Sequence, residues 1–235
     1  MIGIIGAMDS ETDGLIKKME NPQERIISSI KFTSGKIFGT DCVIAKCGIG
    51  KVNAAVCTQT MILEYNPDKI INSGIAGSTS DKTHIGSVVI AENVVQHDFD
   101  TTIIGDELAT LFLPDDTSVK YIPCDKELFT ELEKTCSGLT DIDFTTGTVA
   151  TGDQFIGTRE KRFEINETLG AVACEMEGGS IGQVCYLNKI PFCILRSISD
   201  DSTSDESAEV EYNTFAQSEA EKAIEIITAY IKRIS

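Results

Sequence analysis

The sequence predicts a single α/β domain, residues 1–235, built on a central mixed β-sheet flanked by helices. Three observations carry that prediction. Short apolar runs of strand length alternate with segments whose apolar residues recur at helical spacing. Several strands are apolar on both faces, as in "KIINSGIA" and "PFCILRS", which suits a sheet covered on both sides. No Pro-rich or Gly/Ser-rich linker and no internal repeat divides the chain.

The elements follow in order. "IGIIGAM" is a first strand that turns at Ala7 to Ser10 into a helix, with Asp9 or Ser10 as its cap. "RIISSIKFTSG" and "KIFGTDCVIAKCG" form a strand pair with a turn signal at Ser34-Gly35. From residue 51 the period changes, and Val52, Ala55, Val56, Ile62 and Leu63 fall on one helical face. "KIINSGIAGS" reads as a buried strand ending in a glycine loop, and "GSVVIAENVVQHD" and "TTGTVATGD" read as further strands. A helix over 159–167 precedes the strand "AVACEMEG", the helix "SIGQVCYLN" and the strand "PFCILRSISD". The acidic, Ser-rich run "DDSTSDESAEVE" at 200–211 reads as a surface loop. A long closing helix keeps Phe215, Ala216, Ala223, Ile227, Tyr230 and Ile231 at a period of about 3.6.

Charge and cysteine use narrow the function classes. With 37 Asp and Glu against 20 Lys and Arg, a formal charge of −17 repels a phosphate backbone, so no nucleic-acid partner is expected. The start "MIGIIGAMDSE" carries no signal-peptide pattern, and no window of eighteen apolar residues could span a membrane. A cytoplasmic protein with no membrane partner is the expectation. The eight cysteines (Cys42, Cys47, Cys57, Cys124, Cys136, Cys174, Cys185, Cys193) follow no C-x-x-C spacing and read as buried free thiols. His84 and His97 are too far apart to form a helical ligand pair, so neither metal nor cofactor is expected.

The chemistry is carried by acids at strand ends. In "VACEMEG", an extended strand would point Glu175 and Glu177 to one face, where two like charges are costly unless hydrated or met by a cationic or polyhydroxylated partner. Either a solvated strand end or a built site fits. "GAMDSE", "NSGIAGS", "EMEGG" and "RSISDD" all end strands in polar or glycine-rich residues. If those strands are neighbours, Glu11, Glu175, Glu177 and Asp200 converge on one pocket, at the carboxyl ends where open α/β sheets bind ligands. Taken singly, Glu11 fits a first-turn acid and Asp200 a cap. Nucleotide fingerprints are absent: "GIIGAM" lacks the G-x-G-x-x-G spacing, and "AKCGIGKV" lacks the first Gly and the Ser/Thr of a P-loop.

Six blocks in this order, "IGIIGAMDSE", "CGIGKVNAA", "INSGIAGS", "TGDQFI", "ACEMEG" and "LRSISD", resemble the 5′-methylthioadenosine/S-adenosylhomocysteine nucleosidases of the nucleoside phosphorylase superfamily over nearly the whole chain. The resemblance implies a nucleoside phosphorylase-like fold and hydrolysis of the N-glycosidic bond between adenine and a 5′-thio-substituted ribose. It assigns Asp200 as the acid that protonates adenine N7 and Glu11 as the base that activates water. Glu177 would hold the ribose 2′- and 3′-hydroxyls, with Glu175 and Met176 lining the same sugar. Phe155 would stack on adenine, the Ile156 backbone would read its edge, and Ser199 would support Asp200. Arg196 would position Glu11 or the water. Met8, Ile49, Met176 and Tyr212 would surround the 5′-substituent. Ile75 stands where many relatives carry Ser, leaving any contact of that hydroxyl to the backbone of Ala76 and Gly77, and Tyr212 stands where Phe is common. The resemblance also implies a homodimer in which the segment after His97, with Thr101 and Ile104, caps the partner's 5′-pocket.

Three rivals share these residues. A phosphorylase of the same fold would need cationic donors for phosphate, yet the chain has five Arg (Arg25, Arg159, Arg162, Arg196, Arg233), only one of them in a site motif. A nucleosidase for another 5′-substituted nucleoside, of the futalosine type, fits the same motifs. A non-catalytic nucleoside sensor would need neither a water base nor a leaving-group acid.

Overall fold

The computed structural model describes residues 1–201 and 207–235. One ten-stranded sheet organises it. Strand β1 (Ile2–Gly6) leads into α1 (Asp9–Ile16), and three strands follow, β2 (Glu20–Ile27), β3 (Ile30–Ile37) and β4 (Thr40–Lys46). Next come α2 (Lys51–Tyr65), β5 (Lys69–Ser78) and β6 (Val88–Gln96). A small outer part holds β7 (Leu111–Phe112), β8 (Ser118–Val119) and β9 (Ile122–Pro123) before α3 (Lys126–Ser137). The second half runs β10 (Phe144–Thr151), α4 (Arg159–Leu169), β11 (Ala171–Glu175), α5 (Gly178–Asn188), β12 (Phe192–Asp200) and α6 (Ala208–Ile234).

The sheet order is β11-β10-β6-β12-β5-β1-β4-β3-β2, with β9 added to β6. It is mixed, as expected. β1, β5 and β12 are parallel neighbours, whereas β6 meets β12 antiparallel and β2, β3 and β4 form an antiparallel meander. One further pairing shapes the site. β11 pairs antiparallel with β5 through Ala173 opposite Ser78 and Cys174 opposite Gly77. Strands β5, β12, β6, β10 and β11 thus close on themselves, and the carboxyl ends of β5 and β11 meet head to head. The helices bury apolar residues on both faces of this sheet. α6 contributes Ala223, Ile227, Tyr230 and Ile231, while α2 and α5 bury Met61, Cys57, Ile181 and Cys185 on the other side. The strands between them read as apolar runs because both faces are covered. Among the described residues, no helix is long and apolar enough to cross a membrane. All eight cysteines are free and only Cys124 is not fully buried, as the sequence pattern indicated.

Several local expectations need correction. The turn does not lie at Ser34-Gly35, which is inside β3; the hairpins turn at Ser28-Ser29 and Phe38-Gly39, all four with positive φ. Gly35 serves a close crossing instead, since a Cβ there would sit 2.8 Å from the Glu20 carbonyl. The α1 cap is Met8, and Glu11 rather than Asp9 or Ser10 accepts the first free amides. The expected glycine loop of "KIINSGIAGS" is the continuous strand β5. On α2, of the expected face Val52, Val56 and Leu63 point outward, with Val52 74% and Leu63 73% exposed, Ala55 is half-buried and Ile62 is buried, while Ala54, Cys57, Thr58 and Met61 make the buried face. Of the acidic run at 200–211, residues 202–206 lie outside the described residues; Asp200 ends β12, and 208–211 form the first turn of α6 behind the Ser207 cap. α3, capped by the Asp125 side chain, had no counterpart in the sequence reading.

The Ser28-Ser29 hairpin places two side-chain-bearing residues at φ 52° and 64°, where an L-residue pays roughly 1–2 kcal/mol relative to glycine's freedom. Ser29→Gly is expected to stabilise the fold by about 1 kcal/mol in urea unfolding, leaving activity unchanged; destabilisation would contradict the turn geometry.

Candidate active site

A cavity of about 540 Å³ opens where β1, β5, β11 and β12 end, within the size of small-ligand sites. Its walls include all the residues expected from the sequence except two. Met8 and Glu11 enter from the start of α1, Ile49 from the loop before α2, and Ala76 and Gly77 from β5. Glu175, Met176 and Glu177 come from the end of β11, Ser199 and Asp200 from the end of β12, and Phe155 and Tyr212 close the outer side. Ile156 lines a small adjoining recess that shares Phe155, Met176 and Asp200 with the main cavity. Arg196 lies beneath the floor, 1% exposed.

Each acid is held differently. Glu11 is 4% exposed and accepts from the amides of Ala7 at 2.6 Å and Met8 at 3.1 Å through Oε2, and from Ile75 at 3.0 Å through Oε1. Burial pushes its carboxyl above the ordinary range, opposed by Arg196 and by those three amides. β5 is glycine at 74 for a steric reason. A Cβ there would collide with the Glu11 carboxylate and lie 2.8 Å from the Arg196 guanidinium.

Glu175 and Glu177 do not share a strand face, because β11 stops at Glu175 and Glu177 begins α5. Glu175 turns back into the protein, where it accepts from Thr151 Oγ1 and from the amides of Glu177 at 3.0 Å and Gly178 at 2.7 Å, and forms an ion pair with Arg196. It is the built partner, not the solvated strand end. Glu177 Oε1 accepts from the Gly50 amide at 2.9 Å, and the Arg196 guanidinium is 3.8 Å from its other oxygen. Burial first, and then the Glu175 charge, push Glu177 up to about 7. Arg196 does not reach Glu11 by a hydrogen bond; it binds Glu175 and donates to Asn72 Oδ1 at 2.5 Å. Its influence on Glu11 is that of a nearby charge.

Asp200 accepts from Ser199 Oγ at 2.7 Å through Oδ1, while its Oδ2 pairs with Arg162. Burial raises its carboxyl above the usual Asp range, against the opposing pull of Arg162. The space for this pair comes from Gly77, whose Cβ would lie 2.7 Å from Asp200 Oδ2 and 3.1 Å from Arg162 Nη2. On the outer side, Phe155 is 52% exposed and meets Tyr212 edge to face, with ring centroids 5.6 Å apart at 83°. The Tyr212 hydroxyl donates to Met8 Sδ at 3.4 Å, which ties α6 to the start of α1.

Sequence reasoning missed Arg162, Glu209 and Asn213. Arg162 makes a second arginine at the site, where the motifs had supplied only one. Its signal was weak, one of three cations on a polar helix, seven positions after Phe155, and only the fold brings it to Asp200. Glu209 and Asn213 line the cavity one helical turn apart around Tyr212, a relation that the period of α6 contained.

The arrangement supplies four buried acids and the exposed Glu209, the Phe155 ring, and no Lys or Arg in the cavity wall among the described residues. A family model described as the phosphorylase superfamily matches residues 1–232. The 5′-methylthioadenosine/S-adenosylhomocysteine nucleosidase of Shewanella sediminis is 39% identical over 205 residues, 87% of each chain. Among solved structures, the nucleosidase of that name from Neisseria meningitidis, in complex with methylthio-immucillin-A, superposes with a TM-score of 0.90 at 29% identity, over 99% of this chain and 98% of that one. Futalosine hydrolase of Helicobacter pylori superposes equally well, with a TM-score of 0.90 at 30% identity over 99% of this chain and 97% of that one. The sequence blocks, the closed sheet and these likenesses agree: the chain belongs to the phosphorylase superfamily, within its 5′-methylthioadenosine/S-adenosylhomocysteine nucleosidase family.

Proposed function

We propose that the protein hydrolyses the N-glycosidic bond of 5′-methylthioadenosine and S-adenosylhomocysteine, releasing adenine and the free 5-thioribose product. The observation that carries this reading is a cavity walled by Glu11, Glu175, Glu177 and Asp200 with no cation in the wall among the described residues. Such a wall repels phosphate and favours a sugar that becomes positive. Arg196 and Arg162, the nearest cations, are each already paired with a carboxylate. Water is therefore the better nucleophile. The whole chain, residues 1–235, would act as one catalytic domain, and its unpaired thiols fit a reducing cytoplasm.

In this reaction Asp200 gives its proton to adenine N7 as the C1′–N9 bond breaks, so adenine leaves neutral. Glu11 takes a proton from water as the water oxygen bonds C1′. A raised Asp200 suits an acid that must carry a proton, and burial supplies the rise. Glu11 has its carboxylate fixed by three amides, which aims it without neutralising it. Glu177 offers the oxygen left over from its Gly50 bond to the ribose hydroxyls, and an anion beneath a sugar turning cationic stabilises the transition state above the ground state. Phe155 and the Ile156 recess would take the purine, and Met8, Ile49 and Tyr212 the 5′-thio group.

The direct experiment follows adenine release from methylthioadenosine with and without phosphate. The same rate and free thioribose are expected in both; appearance of a ribose 1-phosphate would establish a phosphorylase, and activity only on a futalosine-type nucleoside would reassign the substrate. Asp200→Asn cannot protonate N7 and Glu11→Gln cannot accept from water, so each is expected to lose ~10²-fold or more in kcat with substrate binding largely retained. Glu177→Gln is expected to impair both KM and kcat, because its contacts exist in the ground state and strengthen later. Near wild-type kcat in either of the first two variants would overturn their roles.

The same proposal includes a homodimer. Ile103 is 95% and Ile104 77% exposed on the segment after His97, and the outward apolar face of α2 continues from Ile49 at the cavity mouth. A second copy laid on these surfaces would bury them and cover the 5′-end. Sedimentation at micromolar concentration is expected to give a dimer. Leu63→Glu should shift it toward monomer and raise KM for methylthioadenosine. A wild-type monomer with full activity would contradict this.

A further inference from the structure

Arg162 belongs to α4 and does not itself line the main cavity, yet it is 1% exposed and its guanidinium is turned toward the site from behind Asp200. Nη2 forms the ion pair with Asp200. Nη1 lies 3.2 Å from the Asp200 carbonyl and 3.4 Å from the Ser78 carbonyl, and Nε donates to the Ile156 carbonyl at 2.9 Å. One planar cation thus gathers acceptors from the end of β12, the end of β5 and the loop that carries Phe155. The α4 cap holds the other side of that loop. Thr158 Oγ1 accepts from the Lys161 amide at 3.4 Å, and the Thr158 carbonyl accepts from the Arg162 amide at 3.2 Å. Burying a guanidinium is costly unless its donors are satisfied, and here, apart from the longer contact of Nη1 to the Ser78 carbonyl, they land on Asp200 and on the purine-side loop.

We propose that Arg162 is the positioning residue of the leaving-group acid: it fixes the Asp200 carboxyl and ties it through the Ile156 carbonyl to the loop bearing Phe155, so that one side chain governs both docking of the purine and delivery of the proton. The assignment rests on the reading of Asp200 as the acid.

The surroundings of Asp200 define what removing the cation would do. Ser199 faces it from β12, Cys174 from β11, and Glu211 and Tyr212 from α6, where Glu211 also accepts from the Asp201 amide at 2.8 Å. Burial and the Glu211 charge favour the protonated acid, whereas Arg162 and Ser199 favour the carboxylate. Among these neighbours Arg162 is the only cation. Without it, Asp200 should hold its proton to higher pH, by about 1–3 pH units.

Adenine is the probe, because it engages Asp200 and the Phe155 loop but lacks the ribose that Glu177 would hold. Calorimetric titration with adenine across pH is expected to show affinity falling at an alkaline limb, and Asp200→Asn should abolish that limb. In Arg162→Met the limb should move upward by about 1–3 pH units. In Arg162→Lys, which keeps charge but not the fork, the limb should stay in place while adenine affinity and the KM for methylthioadenosine worsen, because the Ile156 carbonyl loses its donor. An unmoved limb in Arg162→Met overturns the assignment. Should that variant fail to fold, a Lys variant with unchanged KM, or with a shifted limb, overturns it equally. A protein that binds no adenine and releases none overturns the nucleosidase reading, and this assignment falls with it; an active protein whose limb ignores Arg162 overturns this assignment alone.

Discussion

Everything at the site answers to one electrostatic constraint: four buried carboxyls and two buried guanidinium groups crowd around one cavity. Arg196 and Arg162 are each 1% exposed; Arg162 pairs with Asp200, and Arg196 binds Glu175 closely while standing 3.8 Å from Glu177. That leaves Glu11 with no ion pair and Glu177 with only the longer one to an Arg196 already bound to Glu175. Backbone amides hold them instead, those of Ala7, Met8 and Ile75 for Glu11 and that of Gly50 for Glu177. Amides orient a carboxylate but carry no net charge to cancel it, so the cavity keeps a negative excess. Burial is the leading cause that raises the proton affinities of Glu11, Glu177 and Asp200, and in Glu177 the charge of Glu175 adds to it.

The fold is arranged to make that crowding possible. Closure of β11 onto β5 brings the Glu175–Glu177 end of one strand against the Gly77 end of another. Gly74 and Gly77 leave room for the Glu11–Arg196 and Asp200–Arg162 groups, which any larger residue would displace. α1 starts where it does because Glu11 reaches back to the amides of Ala7 and Met8 just before the helix, so one side chain both fixes the helix start and faces the cavity. Local structure and proposed chemistry use the same bonds. Loss of either would therefore disturb both.

Much of this was legible in the sequence because it is written in local patterns. Apolar runs bounded by polar ends located β1, β5, β11 and β12, and the acids at those ends were visible as a set before any strand order was known. What depends on three dimensions was not. The period of α2 revealed an apolar stripe of Val52, Ala55, Val56, Ile62 and Leu63 but could not say that only Ile62 of it is buried and that Ala54, Cys57 and Met61 face the core. Ser34-Gly35 carried turn composition although its glycine serves a close strand crossing. The alternation rule put Glu175 and Glu177 on one face, whereas the strand ends between them and sends them to different partners. Arg162 was invisible because its partner lies 38 residues away across the sheet.

The central claim is that the uncompensated negative charge of the cavity is matched to a cationic sugar. It is tested most directly by the affinities of two 5′-methylthio adenosine analogues of the same shape, one with a protonated nitrogen in the sugar ring and one with carbon in its place. The account predicts that the cationic analogue binds at least ~10²-fold tighter, the lower range for transition-state mimicry. Equal affinity for the two would contradict it.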